Sequence, residues 1–83
     1  MKIPDGWELK EEKLHRKFTF KTFGEAMSFM QDCIPVIDKM NHHPNWSNVY
    51  ASVEVNLFTH TTGDVTDKDI LLAEKMNEIY SSI

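Results

Sequence analysis

Leu14, Phe18 and Phe20 share one parity along the chain, the period-two pattern of a strand with one buried face. Together with Trp7-Glu8-Leu9-Lys10, this predicts two strands, over 7–10 and 14–20, joined by polar Glu11-Glu12-Lys13. After Thr22 the period changes. Phe23, Ala26, Met27, Met30, Ile34, Ile37 and finally Met40 recur at helical spacing. Thr22-Phe23-Gly24-Glu25 fits a capping box, in which Thr accepts from a free helix amide and Glu returns to the cap. Pro35 falls inside this run, deletes one backbone donor and crowds the carbonyl four residues back. A kink or a break is expected there. Pro44 closes the segment and drives His43 toward an extended backbone.

From Trp46 to His60 the pattern is β again. Val49, Ala51, Val53, Val55 and Leu57 share one parity, and Tyr50, Ser52, Glu54, Asn56 and Phe58 the other. This fits one long bent strand or two strands turning near Ala51-Ser52, and neither residue is a strong hairpin-turn former. Thr61-Thr62-Gly63-Asp64 reads as a loop. Thr66-Asp67-Lys68-Asp69 then opens a final helix, with acids in its first turn favoured by the helix dipole. Ile70, Ala73, Met76 and Ile79 or Tyr80 supply its buried side. The order ββα-β(β)-α predicts an α+β fold with helices on one face of an antiparallel sheet.

The 83 residues make a single domain, 1–83. A domain of this size buries only about 60–65% of the surface that its unfolded chain exposes, so association between copies would supplement a modest core. Nine basic against thirteen acidic side chains argue against nucleic-acid binding, which favours a basic domain. Lys13, His15, Arg16, Lys17 and Lys21, interleaved with other residue types, read as the solvated side of a strand. The single cysteine, Cys33, excludes an intramolecular disulfide and reads as a small buried hydrophobe on a helix. No apolar run approaches the roughly 20 residues of a membrane span. The start, Met1-Lys2-Ile3-Pro4-Asp5, has no signal-peptide core, so a cytoplasmic protein without membrane contact is expected.

Three of the four histidines draw the eye toward chemistry. His42 and His43 end the first helix, and His60 stands where a strand runs out into a loop. An imidazole with an ordinary pKa near 6.5 takes and returns a proton near pH 7. That suits reactions in which one group gives a proton and another removes one, such as loss of water, with neither metal nor cofactor. Asp38, four residues before His42, would share its helix face and could orient the ring. A plainer reading competes: histidines at a helix C-terminus also interact favourably with the dipole. Adjacent histidines are not the i, i+4 chelate of a helical zinc site, so no metal is expected. Trp46 and Tyr50 suit either a core or the wall of a cavity for a flat heterocycle. Asp69 reads first as the third-position cap of the last helix.

The run Asp38-Lys39-Met40-Asn41-His42-His43-Pro44-Asn45-Trp46-Ser47-Asn48-Val49-Tyr50 resembles the pterin-4a-carbinolamine dehydratases. The likeness continues through Leu57-Phe58-Thr59-His60, Gly63 and Thr66-Asp67-Lys68-Asp69-Ile70-Leu71-Leu72-Ala73, and covers nearly the whole chain from Gly6-Trp7. It implies a four-stranded antiparallel sheet, which favours the two-strand reading of 46–60. The reaction implied is dehydration of a 4a-hydroxytetrahydropterin to a quinonoid dihydropterin, which recycles the cofactor of aromatic amino acid hydroxylases. By position, His42, His43 and His60 would be the acid–base and substrate-contacting residues. Asn41 and Phe58, Thr59, His60 and Thr61 would line the pterin, with Asp38, Trp46 and Asp69 as supports. The resemblance also implies a homodimer or homotetramer. The alternative it leaves is a non-catalytic pterin-binding or protein-interaction module, because animal members act as dimerisation cofactors for a homeodomain transcription factor. Pro35 departs from the pattern, standing where many relatives have an ordinary helix former.

Overall fold

Each change of period along the chain marks an element in the computed structural model, which describes residues 2–83 and so leaves Met1 of the expected domain outside. The elements are β1 (Glu8–Lys10), β2 (Lys13–Thr19), α1 (Phe23–Met40), β3 (Asn45–Val49), β4 (Ser52–Leu57) and α2 (Asp67–Ser81). The strands form one antiparallel sheet in the order β1-β2-β4-β3. Leu14 and Phe18 of β2 stand opposite Leu57 and Val53 of β4. With Val55 they form one cluster with Ala26, Phe29, Cys33 and Ile37 of α1 and Leu72, Ala73 and Met76 of α2. The fold is therefore α+β, as expected, with both helices on one face. No helix among the described residues is long and apolar enough to cross a membrane.

Two short turns set which side chains face the helices. Lys10 pairs with Lys13, so Lys13 belongs to the strand and the turn is Glu11-Glu12 alone, with φ of +52° and +65°. Positive φ at both positions is the type I′ pattern that matches strand twist, although it favours Asn-Gly. In the second hairpin Val49 pairs with Ser52, leaving Tyr50-Ala51 as the turn, one residue earlier than expected, with Tyr50 at φ +49°. Side chains brace this turn. Asn48 Nδ2 donates to the carbonyls of Tyr50 at 3.0 Å and Ser52 at 2.9 Å, and Ser52 Oγ donates to that of Val49 at 3.0 Å.

A two-residue turn also resets parity. Val49, expected on the face of Val53 and Val55, lies opposite Ser52 on the outer face and is 72% exposed. Trp46 and Asn48 face inward instead, opposite Val55 and Val53. Parity likewise removes Arg16 from the expected solvated cluster, since it shares the face of Leu14 and Phe18. Its Cζ stands 4.4 Å from the Phe18 ring centre and 5.1 Å from that of Tyr80, as cation–π attraction favours. Its Nη1 donates to Asn77 Oδ1 at 2.6 Å, the same oxygen that Trp7 Nε1 reaches at 2.9 Å. His15 does lie outward, between Glu8 at 3.4 Å and Glu54 at 3.0 Å. The bond from His15 holds the Glu54 carboxyl below its ordinary value, with help from the charges of His15, Lys10 and Lys17.

The helix α1 starts at the expected cap, Thr22, whose Oγ1 accepts from the Glu25 amide at 3.1 Å. The Glu25 carboxylate accepts from the Lys21 amide at 3.0 Å, one residue before the cap rather than at the cap itself. Its buried stripe is Ala26, Phe29, Cys33 and Ile37, which leaves Phe23 and Ile34 about half exposed. Pro35 does not break the helix. Both Pro35 and Gln31, whose carbonyl loses its partner, are exposed, so water can satisfy that carbonyl.

Two outcomes follow from α1. Proline costs about 3 kcal/mol against alanine in a helix interior, partly offset by about 0.4–1 kcal/mol from the stiffer unfolded chain. Pro35→Ala should therefore raise the urea-unfolding free energy by about 2 kcal/mol, and a loss of stability would contradict the account. Burial, and secondarily the charge of Asp32, pushes the Cys33 thiol up to about 12. Native protein should resist a thiol-labelling reagent at pH 8 and react fully once denatured.

Candidate active site

The end of α1 is shaped by one residue. Asn41 adopts the left-handed conformation, φ +50° and ψ 42°, which asparagine tolerates better than most side chains. The His42 amide then donates to the Ile37 carbonyl at 3.3 Å and the Asn41 amide to that of Asp38 at 3.1 Å, the two bonds of a Schellman closure. This reversal turns the His42 side chain into the protein, leaving the residue 9% exposed. It also separates His42 from Asp38. Asp38 is exposed, and among the described residues no hydrogen bond joins its carboxylate to the ring, because the helix on which the two would share a face ends between them.

His42 meets a different acid. Its Nε2 lies 2.6 Å from Oδ1 of Asp69, which is fully buried. Asp69 is the third residue of α2, so its carboxylate also meets the free amides of the helix start. Oδ2 accepts from the Thr66 amide at 2.8 Å and from Thr59 Oγ1 at 2.9 Å, with Thr66 Oγ1 at 3.5 Å. The capping role and the supporting role expected of Asp69 thus fall to different oxygens of one group. An ionised carboxylate can only accept, so beside it His42 Nε2 carries the hydrogen, and in the neutral form of the ring the lone pair falls to Nδ1.

The second corner of the site follows β4. The Thr59 amide donates to the Asp64 carbonyl at 2.9 Å, and the Thr59 carbonyl accepts from Thr62 at 3.2 Å and Gly63 at 2.8 Å. Gly63 has φ +73°, a conformation glycine adopts freely. Thr59 points to α2, while the rings of Phe58 and His60 meet at a tilt of 51° with centres 4.6 Å apart. Lys13 Nζ lies 5.3 Å from the Phe58 ring centre. His60 and Thr61 are exposed, as are Asn41 and His43.

The structure therefore brings the His42 and Thr59 corners onto opposite oxygens of one carboxylate. The last β3–β4 pair is Asn45 with Asn56, so His43 and Phe58 lie just beyond the same end of that ladder. Trp46 is half-buried and packs against the core, while Tyr50 sits in the hairpin turn and is 70% exposed, apart from both corners. A cavity of about 400 Å³ opens elsewhere, between the N-terminal segment and α2, and none of the three histidines lines it. Sequence reasoning missed the hydroxyl partners of Asp69. The capping signal at Thr66–Asp69 was visible, but nothing local announces that Thr59 and His42 meet it.

Comparison with known proteins bears on the family and the fold. The family model described as pterin 4 alpha carbinolamine dehydratase matches residues 1–79. A protein of Prochlorococcus marinus (strain MIT 9312), provisionally named a pterin-4-alpha-carbinolamine dehydratase, is 46% identical over 80 residues, covering 96% of this chain and 82% of its own. A protein of Afipia carboxidovorans with the same provisional name is 55% identical over 64 residues, 77% of this chain and 64% of its own. The crystal structure of a transcriptional coactivator/pterin dehydratase from Brucella melitensis superposes with a TM-score of 0.88 at 42% identity, over 92% of this chain and 83% of that one. A pterin dehydratase-like protein identified as a RuBisCO assembly factor in the alpha-carboxysome shares the fold, with a TM-score of 0.73 at 16% identity over 89% and 86% of the two chains. Sequence and fold agree over nearly the whole length, and the chain belongs to the pterin 4 alpha carbinolamine dehydratase family.

Proposed function

We propose that this protein dehydrates a 4a-hydroxytetrahydropterin to a quinonoid dihydropterin, with His42, His43 and His60 as its acid–base set. The observation that carries this reading is the buried Asp69, which holds His42 Nε2 at 2.6 Å and leaves the other ring nitrogen to exchange protons. In the reaction the C4a–O bond breaks as a protonated imidazole gives its proton to the departing hydroxyl. A neutral imidazole accepts the proton lost from a ring nitrogen as the C=N bond forms. Water leaves, and no electrons are exchanged with a second molecule. Two histidine states suffice, and each reverts through the other's chemistry or through solvent.

Substrate contact falls to the exposed Asn41, His43, His60 and Thr61 of both corners and to the half-buried Phe58. The flat ring of Phe58, just beyond the same end of the β3–β4 ladder as His43, suits stacking on a heterocycle. Trp46 supports the site from the core side, and Asp38, exposed near the end of α1, has no bond to His42 through which to support it among the described residues. A second reading, a pterin-binding or protein-interaction module without turnover, draws support from the description of the Brucella relative as a transcriptional coactivator.

Turnover of a synthetic 4a-hydroxytetrahydropterin separates the two. His42→Ala, His43→Ala and His60→Ala should each lower the rate by about 10²–10⁴, the scale of a lost acid or base, with the fold retained by circular dichroism. A wild-type rate equal to spontaneous water loss would favour the interaction module. Asp69→Ala should also cost about 3 kcal/mol or more in urea unfolding, because it strands buried donors from His42, Thr59 and Thr66. A change below 1 kcal/mol would show that the carboxylate is not the anchor described above.

A further inference from the structure

We infer that Thr59 is a positioning residue that couples the loop of His60 to the ring of His42, rather than a group that contacts the pterin. This deepens the proposed function and rests on His42 being an acid–base group. A threonine hydroxyl has one hydrogen and two lone pairs. Thr59 spends its hydrogen on Asp69 Oδ2 at 2.9 Å, so at 2.7 Å from Thr66 Oγ1 it must accept the hydrogen of Thr66. Only one lone pair stays free. The donors then run in one direction, from Thr66 to Thr59 to Asp69, with His42 Nε2 donating to the other oxygen.

The backbone of the same residue is fixed by three further bonds, to Asp64, Thr62 and Gly63, and these shape the loop that begins with His60. Thr59 is thus tied at both ends. Its main chain sets the direction of His60, and its side chain sets the torsion of the carboxylate that orients His42. Without the hydroxyl, Oδ2 would keep the Thr66 amide but lose one of its two close donors, so the carboxylate would be held less firmly about its χ2 bond, a broad torsion in aspartate. The hydrogen bond to His42 would then be less tightly directed.

The test compares Thr59→Val, which keeps the shape and removes the hydroxyl, with Thr59→Ser, which restores it. With a synthetic 4a-hydroxytetrahydropterin, Thr59→Val should lower kcat by about 10- to 100-fold, the scale of a small misplacement. KM should stay within about twofold, and Thr59→Ser should recover most of the rate. A raised KM at unchanged kcat would mean substrate contact and overturn the inference. A second readout does not need turnover: ¹⁵N NMR of the histidine rings. The wild type should show His42 as a single Nε2–H tautomer, Thr59→Val a mixed or exchanging one, and Thr59→Ser the wild-type signal. An unchanged tautomer in folded Thr59→Val would overturn the positioning role. Loss of the fixed tautomer in a chain whose wild type lacks turnover would uphold positioning and reject only the dehydratase reading.

Discussion

A carboxylate with no access to water has to find its hydrogen bonds inside the protein, and Asp69 is such a group. Leaving it unpaired would cost several kcal/mol, so whatever surrounds it must supply donors in fixed places. The start of α2 supplies the Thr66 amide, the end of β4 supplies the Thr59 hydroxyl, and the corner after α1 supplies the His42 ring. Three segments distant in sequence are therefore held at one point by the solvation needs of a single side chain. The candidate site is what that point presents to solvent.

The sheet is the platform on which those segments meet. Its two-residue turns decide which residues face the helices, and the second turn places Trp46 inward and Val49 outward. Arg16 shows the strength of parity: a charged side chain takes a core-facing position and is accommodated by two aromatic faces and Asn77. The antiparallel pairing of β4 with both β2 and β3 carries Phe58 and Thr59 out beside the end of α1. Alternation there then divides the labour, with Thr59 facing the buried carboxylate and Phe58 and His60 facing the other way.

Much of this was written locally. The strand period of β2, the capping signals of both helices and the role of Cys33 as a buried hydrophobe depend on neighbours within a few residues, and each is present. The readings that failed needed information from further away. The face of Val49 depended on the length of a turn formed by Tyr50 and Ala51, neither a strong turn former, and stabilised by Asn48 and Ser52. The inward place of Arg16 depended on Asn77 and Tyr80 of α2. The buried stripe of α1 rotated onto Phe29 and Cys33 because those positions, rather than Phe23 and Ile34, meet the sheet.

By itself the amino-acid order determined the periods, the helix starts, the α+β class and the residue types able to move protons, because each follows from contacts between near neighbours. Tertiary structure alone decided which acid serves His42. Asp38 was the nearer candidate in sequence, but a left-handed Asn41 ended the shared helix face, and Asp69 took the role from 27 residues away. The physical reason is that a buried charge is satisfied by donors close in space, and closeness in space is set by how sheet and helices pack.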